Sequence, residues 1–373
     1  MNIVILSAYS AANSGDGLLA DLAVKALRRN FGAGARITVV AADPASFCGL
    51  SGVEVRQAPL MATAWRDRMV SALNVKREYS LLDRLFGEAD LLVGIGGGYM
   101  RSKSLSEHAK LEAGHAWQLR CAVKSGVPLV CLPQSIGPFH AMTSRYVDLY
   151  RSAATVFVRD DRSRHLVRDL EGVVRCPDMA VQHVALRLRD RDVAMATDKR
   201  VPESVCVVLR KPPAWSESRQ RAYVSNVKEL VRLLSSQCRV LYGVQSVTRG
   251  NDDVRFYREN KIGQEYVALR DCLSDARRPD MVVSVRLHGA LESVIAGVPA
   301  FHLSYERKGF GAYEDMRADN WVCNGADFRP DAVLGRLFED YASADFAQRL
   351  QSGVAAISKS ADGMDAVLRR FAR

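Results

Sequence analysis

Short apolar runs alternate with amphipathic stretches along this chain, and they do so in two successive series. In the first, Ile3–Ser7, Ile37–Ala41, Leu91–Gly94, Leu129–Leu132 and Thr155–Val158 read as strands. Helical periodicity falls between them, over Gly17–Asn30, His108–Ser125, Ser144–Ser152 and Arg162–Leu170. A strand, a helix and another strand in repeating order predict a parallel sheet covered on both faces. The second series has strands at Val205–Leu209, Val240–Gly243, Met281–Val285 and Ala300–Leu303. Its helices are read at Gln220–Ser236, Val254–Asn260, Leu287–Ala296, Asp331–Asp340 and Phe346–Phe371. Between the series, Leu186–Pro202 is charged and lacks an apolar run, so it reads as a linker.

The 373 residues are too many for one ordinary core. The expected organisation is an N-terminal domain over 1–185, a linker over 186–202, and a second domain over 203–345. A last helix over 346–373 is expected to cross back to the first domain. Two α/β domains facing a central ligand cleft is the fold class this implies. The formal charge is +10, which favours acidic partners. No nucleic-acid motif or basic–aromatic platform accompanies that charge, so nucleic acid is not expected as a partner. None of the eight cysteines forms a CxxC pair, and several lie in apolar runs, as small core residues of a reducing compartment do. The start, Met1-Asn2-Ile3-Val4-Ile5-Leu6, has no basic region and reads as a strand rather than a secretory signal. No apolar run reaches the ~18 residues that span a bilayer. A cytoplasmic protein is the expectation. Leu60–Tyr79, rich in Arg, Met and Trp, reads either as a peripheral contact with the inner membrane or as a plain amphipathic helix.

The chemistry-bearing residues gather where strands end. Val282-Val283-Ser284-Val285 runs into Arg286-Leu287-His288-Gly289. In open α/β sheets ligands bind at that carboxyl edge. An Arg there suits a carboxylate or phosphate, and a His can exchange a proton near neutral pH. Arg210 ends the first strand of the same series, and Lys308 follows the strand Ala300–Leu303 near a helix start. His302, inside its apolar run, reads as a core histidine. In the first series, Asn13-Ser14-Gly15-Asp16-Gly17 follows the first strand, and its Asp16 reads equally as a helix cap or a ligand contact. Gly96, Gly97 and Gly98 follow Leu91–Gly94 and would let a ligand or another chain segment approach the backbone, the ligand being the preferred reading. Ser135 lies in the turn after Leu129–Leu132. Arg159 and Asp160 read as structural, a pairing cation and a helix cap. No HExxH, spaced His/Cys cluster or paired carboxylates suggest a metal, and no GxSxG elbow or Walker lysine is present.

Taken in order, Asn13-Ser14-Gly15-Asp16, Gly96-Gly97-Gly98, Ser135-Ile136-Gly137-Pro138, Arg159-Asp160, Pro177-Asp178, Arg210, Ser284-Val285-Arg286-Leu287-His288 and Tyr305-Glu306-Arg307-Lys308 resemble the polysaccharide pyruvyl transferases over residues of about 10 to 312. The resemblance implies a GT-B-type fold of two Rossmann-like domains. It implies transfer of the enolpyruvyl unit of phosphoenolpyruvate to two hydroxyls of a sugar in a bacterial surface polysaccharide or its lipid-linked precursor, with release of phosphate. It implies no cofactor beyond that donor. Arg210, Arg286, Lys308 and the Leu287 N–H would then hold phosphoenolpyruvate, and His288 would protonate its methylene carbon. Asp16 or Asp90 would take the acceptor's proton, while Gly96–Gly98 and Ser135 would line the acceptor side. Two rival readings share the same features. One is a GT-B glycosyltransferase with a nucleotide-sugar donor, and the other is a non-catalytic sugar- or anion-binding protein.

Overall fold

The structure, a computed structural model, describes residues 1–61, 74–248, 251–274 and 278–372. It divides into two compact units. Unit 1 comprises Met1–Ala11, Asp16–Met179 and Ser360–Arg373; unit 2 comprises Ala12–Gly15 and Ala180–Lys359.

Unit 1 is built on seven strands: β1 (Asn2–Ala8), β2 (Arg36–Ala41), β3 (Glu54–Gln57), β4 (Leu91–Gly94), β5 (Leu129–Gln134), β6 (Thr155–Val158) and β7 (Val173–Arg175). All pair in parallel, in the order β3-β2-β1-β4-β5-β6-β7. Every residue of β4, β5 and β6 is buried, and so are six of the seven in β1. Burial on both faces explains why these strands read as unbroken apolar runs. The edge strands β3 and β7 bury only part of each residue. Their sequences, Glu-Val-Arg-Gln and Val-Val-Arg, carry no such run, and so they escaped the sequence reading.

Unit 2 has β8 (Ser204–Val208), β9 (Arg239–Val244), β10 (Val247–Thr248), β11 (Asn251–Asp252), β12 (Val267–Ala268), β13 (Met281–Ser284), β14 (Ala300–Ser304) and β15 (Val322–Asn324). Six form a parallel sheet in the order β12-β9-β8-β13-β14-β15, while β10 and β11 make a small antiparallel pair. Each large sheet grows one way from its first strand and then the other. The reversal lies between β1 and β4 in unit 1 and between β8 and β13 in unit 2. Such switch points leave a crevice at the carboxyl ends of the two diverging strands.

Two readings of the sequence need correction. The helix Met179–Arg189 runs through the first part of the expected linker. Arg189 is exposed, but Arg187 is engaged: it donates from Nη1 to the Ile295 carbonyl at 2.7 Å and from Nη2 to that of Asp192 at 3.1 Å. Basic side chains in a last helical turn also complement the carbonyls there. The expected helix over His108–Ser125 is two helices, Leu105–Ala113 and His115–Ser125, broken at Gly114. A Cβ at Gly114 would stand 2.8 Å from the Met61 thioether sulfur, so the break lies at a close contact with that side chain. Of the stretch Leu60–Tyr79, residues 62–73 lie outside the described residues; the helix Val75–Gly87 begins after them. Among the described residues, no helix is long and apolar enough to cross a membrane.

The last helix, Ala342–Arg369, ends in unit 1. There the buried Asp365 carboxylate accepts from Arg29 Nε at 2.8 Å, Arg29 Nη2 at 3.0 Å and Asn30 Nδ2 at 2.8 Å. Asp365→Ala strands those donors, and we expect a loss of about 1–3 kcal/mol in urea unfolding. Glu88→Ala, which removes an exposed partner of Arg84, should cost at most about 0.5 kcal/mol in the same measurement.

Candidate active site

In unit 2, β13 and β14 end in the same turn. Ser284 Oγ donates to the Arg286 carbonyl at 2.8 Å, and Ser304 Oγ donates to the Glu306 carbonyl at 2.7 Å. Five residues after each serine comes a glycine, and a Cβ on Gly289 or Gly309 would collide with the serine hydroxyl of its own turn. A helix starts directly after each turn, over Leu287–Ile295 and over Arg307–Asp315. His288 and Lys308 therefore stand at equivalent places on two neighbouring strand–helix turns. Neither helix has a side-chain cap from its N-cap residue, Arg286 or Glu306. The N–H groups of a first turn have no partner within their own helix. Between the turns, the buried His302 ring places Nδ1 2.8 Å from the Ser284 carbonyl oxygen. Burial first, and then the charges of Lys308 and His288, hold that imidazole neutral, with its pKa lowered to about 4. His302 is a core histidine, and its electrostatics register both His288 and Lys308 nearby.

Arg286 is buried, and the anion a desolvated guanidinium needs comes from the chain itself. Nε donates to both oxygens of Asp253, at 3.1 and 3.0 Å, and Nη2 donates to Asp253 Oδ1 at 2.5 Å. Nη2 also reaches Asn251 Oδ1 at 3.1 Å. Asp253, fully buried, accepts in addition from the backbone N–H groups of Gln245 and Ser246, each at 3.0 Å. The segment so fixed receives residues 12–15. The Ser14 N–H donates to the Gln245 carbonyl at 3.1 Å, and Asn13 bridges to Ser246. Gly15 then lies against His288, since a Cβ there would stand 2.8 Å from both Cβ and Nδ1 of the histidine. Ser14 Oγ donates to Glu292 Oε2 at 3.2 Å. Asn13, Ser14 and Gly15 are thus part of the His288 environment.

Arg210 follows β8, across the switch point from β13. Its Nη1 donates to the Tyr305 hydroxyl at 2.7 Å, and its guanidinium lies 5.3 Å from the centre of that ring. Lys308 pairs with Glu306 at 2.9 Å. One sheet edge therefore carries Arg210, Arg286, His288 and Lys308.

In unit 1, the residues of the carboxyl edge form a separate polar cluster. The helix Ser14–Phe31 starts two residues before Asp16, so Asp16 sits in the first turn and is not the cap. It accepts from the Tyr99 hydroxyl at 3.0 Å. Burial and then the Asp16 charge raise the Tyr99 phenol well above its ordinary pKa, which keeps it a donor. Ser135 Oγ donates to Asp160 Oδ2 at 2.6 Å and accepts from Arg159 Nε at 3.0 Å. Arg159 Nη1 pairs with Asp178, both side chains being 2% exposed. Asp160 caps the next helix through the Ser163 N–H at 2.8 Å. Two of the three glycines, Gly96 and Gly97, are explained by the chain itself. Gly97 has φ +133° and lies over the Tyr99 ring, and its carbonyl accepts from the Ser135 N–H at 2.7 Å. A Cβ on Gly96 would lie 2.9 Å from the Pro133 carbonyl oxygen. The close approach expected of a ligand is thus taken by the loop after β5.

Asp90 does not belong here. It precedes β4, so it stands at the amino edge of the sheet, opposite Asp16 and Gly96–Gly98. Its carboxylate accepts the Asn2 N–H at 2.7 Å. Residues the sequence reading missed are Asp253, Asn251, Gln245, Glu292 and Tyr99. Only Glu292 carried a usable signal, its spacing of four from His288 on one helix. Among the described residues, no group of three or more His, Cys, Asp or Glu is placed to hold a metal ion.

The family model of the polysaccharide pyruvyl transferases matches residues 13–307, most of the chain, and stops one residue before Lys308. The chain belongs to the polysaccharide pyruvyl transferase family. No curated protein matches it. Among solved structures it resembles the S. aureus MnaA–UDP complex, with a TM-score of 0.56, 12% identity, and coverage of 97% of this chain and 94% of that one. The UDP-GlcNAc 2-epimerase of Methanocaldococcus jannaschii with UDP-GlcNAc and UDP gives 0.54 at 10% identity, covering 99% and 100%. A UDP-forming trehalose-phosphate synthase from Burkholderia xenovorans gives 0.54 at 13%, covering 99% of both chains. Such identities speak for the fold alone, which is GT-B-type. In this chain the twin turns carry Arg286-Leu287-His288 and Tyr305-Glu306-Arg307-Lys308.

Two measurements check this geometry without substrate. Gly15→Ala should destabilise the protein by about 1–3 kcal/mol through overpacking, and His288→Gly should remove most of that cost. A double-mutant cycle is expected to give a coupling of about 1 kcal/mol or more. The second concerns acid. His115, buried beside Tyr99, and His302 both titrate at about 4 because burial disfavours their charged forms. The unfolded chain binds protons at both below about pH 6.5 and the folded chain does not. Their contribution is complete above that pH and is lost as pH falls towards about 4. The slope is up to ~1.4 kcal/mol per pH unit for each histidine. His302→Gln should flatten the urea-midpoint profile in that window.

Proposed function

We propose that this family member transfers the pyruvyl unit of phosphoenolpyruvate to two hydroxyls of a sugar. The observation that carries the reading is the pair of twin turns at one sheet edge, with His288 and Lys308 at matching places beside Arg286 and Arg210. Phosphoenolpyruvate has a carboxylate and a phosphate, and such a ligand needs several fixed donors. Asp253 uses Nε and Nη2 of Arg286, which leaves Nη1 for the ligand. Arg210, Lys308 and the Leu287 N–H at the helix start supply the others.

In the first step a protonated His288 gives its proton to the methylene carbon, and C2 becomes electrophilic. A sugar hydroxyl bonds to C2 and loses its proton to a base. The C2–phosphate bond then breaks, and a second hydroxyl bonds to the same carbon. Of the two hydroxyl protons, one balances the proton now in the methyl group and the other leaves with phosphate. Asp16, held by Tyr99, is the carboxylate we assign as base; Asp90 is excluded by its place at the opposite edge. Ser135, bonded to Asp160 and Arg159, is a positioning element of the acceptor side. The acceptor is a surface polysaccharide unit or its lipid-linked precursor. Eight free thiols and a phosphoenolpyruvate donor suit a cytoplasmic setting.

The test is acceptor-dependent release of phosphate from phosphoenolpyruvate, with the ketal identified on the sugar by NMR. His288→Gln should lower kcat by about 10²–10⁴-fold, the range for loss of a general acid. Phosphoenolpyruvate at a hundred times its Kd should stabilise the protein by about 2.7 kcal/mol. Stabilisation by UDP or GDP, with none by phosphoenolpyruvate, would replace this reading with glycosyl transfer.

A further inference from the structure

We propose that Glu292 is the positioning carboxylate of His288, with the Ser14 hydroxyl holding it in place. Glu292 follows His288 by four residues in the helix Leu287–Ile295, and at that spacing two side chains share one face. Two consecutive residues from the start of the chain engage both members of the pair. Ser14 Oγ donates to Glu292 at 3.2 Å, and Gly15 packs against the His288 ring. The groups that act on Glu292 are few. Burial raises its pKa; Ser14, Arg270, Gln245 and His288 each pull it back towards the ionised form. Asp253 is taken up by Arg286 and the N–H groups of Gln245 and Ser246, so it is not the counter-charge of His288.

The chemistry gives such a carboxylate a task. An acid that protonates carbon must carry its proton when the donor arrives. Arg210, Arg286 and Lys308 share the sheet edge with His288, and cations on that edge oppose an imidazolium. A carboxylate one helical turn away supplies the opposite charge and favours the protonated ring. Glu292 does not reach the reacting carbon in this scheme, and it acts through His288. The part of the proposal that concerns turnover rests on the pyruvyl-transfer reading; the coupling between the two side chains does not.

The experiment is an NMR titration of the histidine ring Cε1–H signals in the unaltered chain, in Glu292→Gln and in Glu292→Asp. His288→Gln identifies the signal among the seven histidines. Glu292→Gln keeps an oxygen for Ser14 but removes the charge, so the His288 midpoint should fall by about half to one pH unit. Glu292→Asp should restore most of it, and Glu259→Gln, at an exposed pair with Arg255, should change nothing. Should Glu292→Gln not fold, Ser14→Ala reads the same coupling, as a smaller fall in the same direction. An unchanged His288 midpoint overturns the proposal and leaves Glu292 as a docking point for Ser14. In the phosphate-release assay, Glu292→Gln should lower kcat about tenfold or more and leave the KM for phosphoenolpyruvate within about twofold. Its basic limb should move to lower pH, as imidazolium without its counter-charge is lost earlier. A midpoint that moves in a chain releasing no phosphate would keep the positioning role and reject the pyruvyl donor.

Discussion

The buried pair of Arg286 and Asp253 decides where the rest of unit 2's edge can go. Removing one partner of a buried ion pair typically costs about 3–5 kcal/mol, because the other charge is left unsolvated. Asp253 does more than neutralise the guanidinium. Two of its bonds go to the N–H groups of Gln245 and Ser246, just after β9. The carbonyl of Gln245 in turn receives the Ser14 N–H. A single carboxylate thus ties the end of β13 to the segment on which residues 12–15 rest. Without it, neither the orientation of Arg286 nor the seat of Gly15 against His288 is determined.

The twin turns show how the same edge repeats a solution. A serine that closes a turn onto a carbonyl two residues on, followed by a glycine that must lack a side chain, delivers the residue before that glycine to a fixed place. One turn delivers an imidazole and the next an ammonium group. Because β13 and β14 are adjacent and parallel, with Ser284 paired in register with His302, the two deliveries are locked to one spacing. Backbone geometry therefore sets the distance between a proton carrier and a cation, and side-chain packing sets only their rotamers. Sites on rigid element ends hold their geometry better than sites on free loops.

How much of this was legible in the sequence follows from what each residue's type determines. Interior strands such as Leu91–Gly94 and Thr155–Val158 could be read to the residue, since burial on both faces forces an apolar run. The edge strands Glu54–Gln57 and Val173–Arg175 are half-covered, and nothing in four or three mixed residues distinguishes them from loop. Residues that follow strands, Arg210, Arg286, His288 and Lys308, were legible because an α/β sheet puts them all on one edge. Asp90 was misread because it precedes its strand. The missed carboxylates have another cause. Asp253 is an ordinary helix residue by spacing and Glu292 carries only its spacing of four from His288; what each acid faces depends on contacts 33 residues apart for Asp253 and Arg286 and 278 apart for Ser14 and Glu292. The glycines 96–98 were read as room for a ligand or another chain segment, and at Gly96 and Gly97 the chain itself makes the close approach.

The two carboxyl edges differ in electrical character, and the difference fits a division of labour. The edge of unit 2 carries Arg210, Arg286, Lys308 and His288, with Asp253 and Glu306 already committed to cations. It offers what an anion with two charged groups requires. The edge of unit 1 carries Asp16, Asp160 and Asp178 against Arg159, and Arg159 is closed by Asp178. An anion would meet repulsion there, whereas a neutral sugar brings hydroxyls that both donate and accept. A carboxylate kept in place by a phenol that stays protonated, as Asp16 is by Tyr99, suits the removal of a hydroxyl proton better than the holding of a phosphate. The proposed placement of the donor in unit 2 and the acceptor in unit 1 therefore rests on charge as well as on motif.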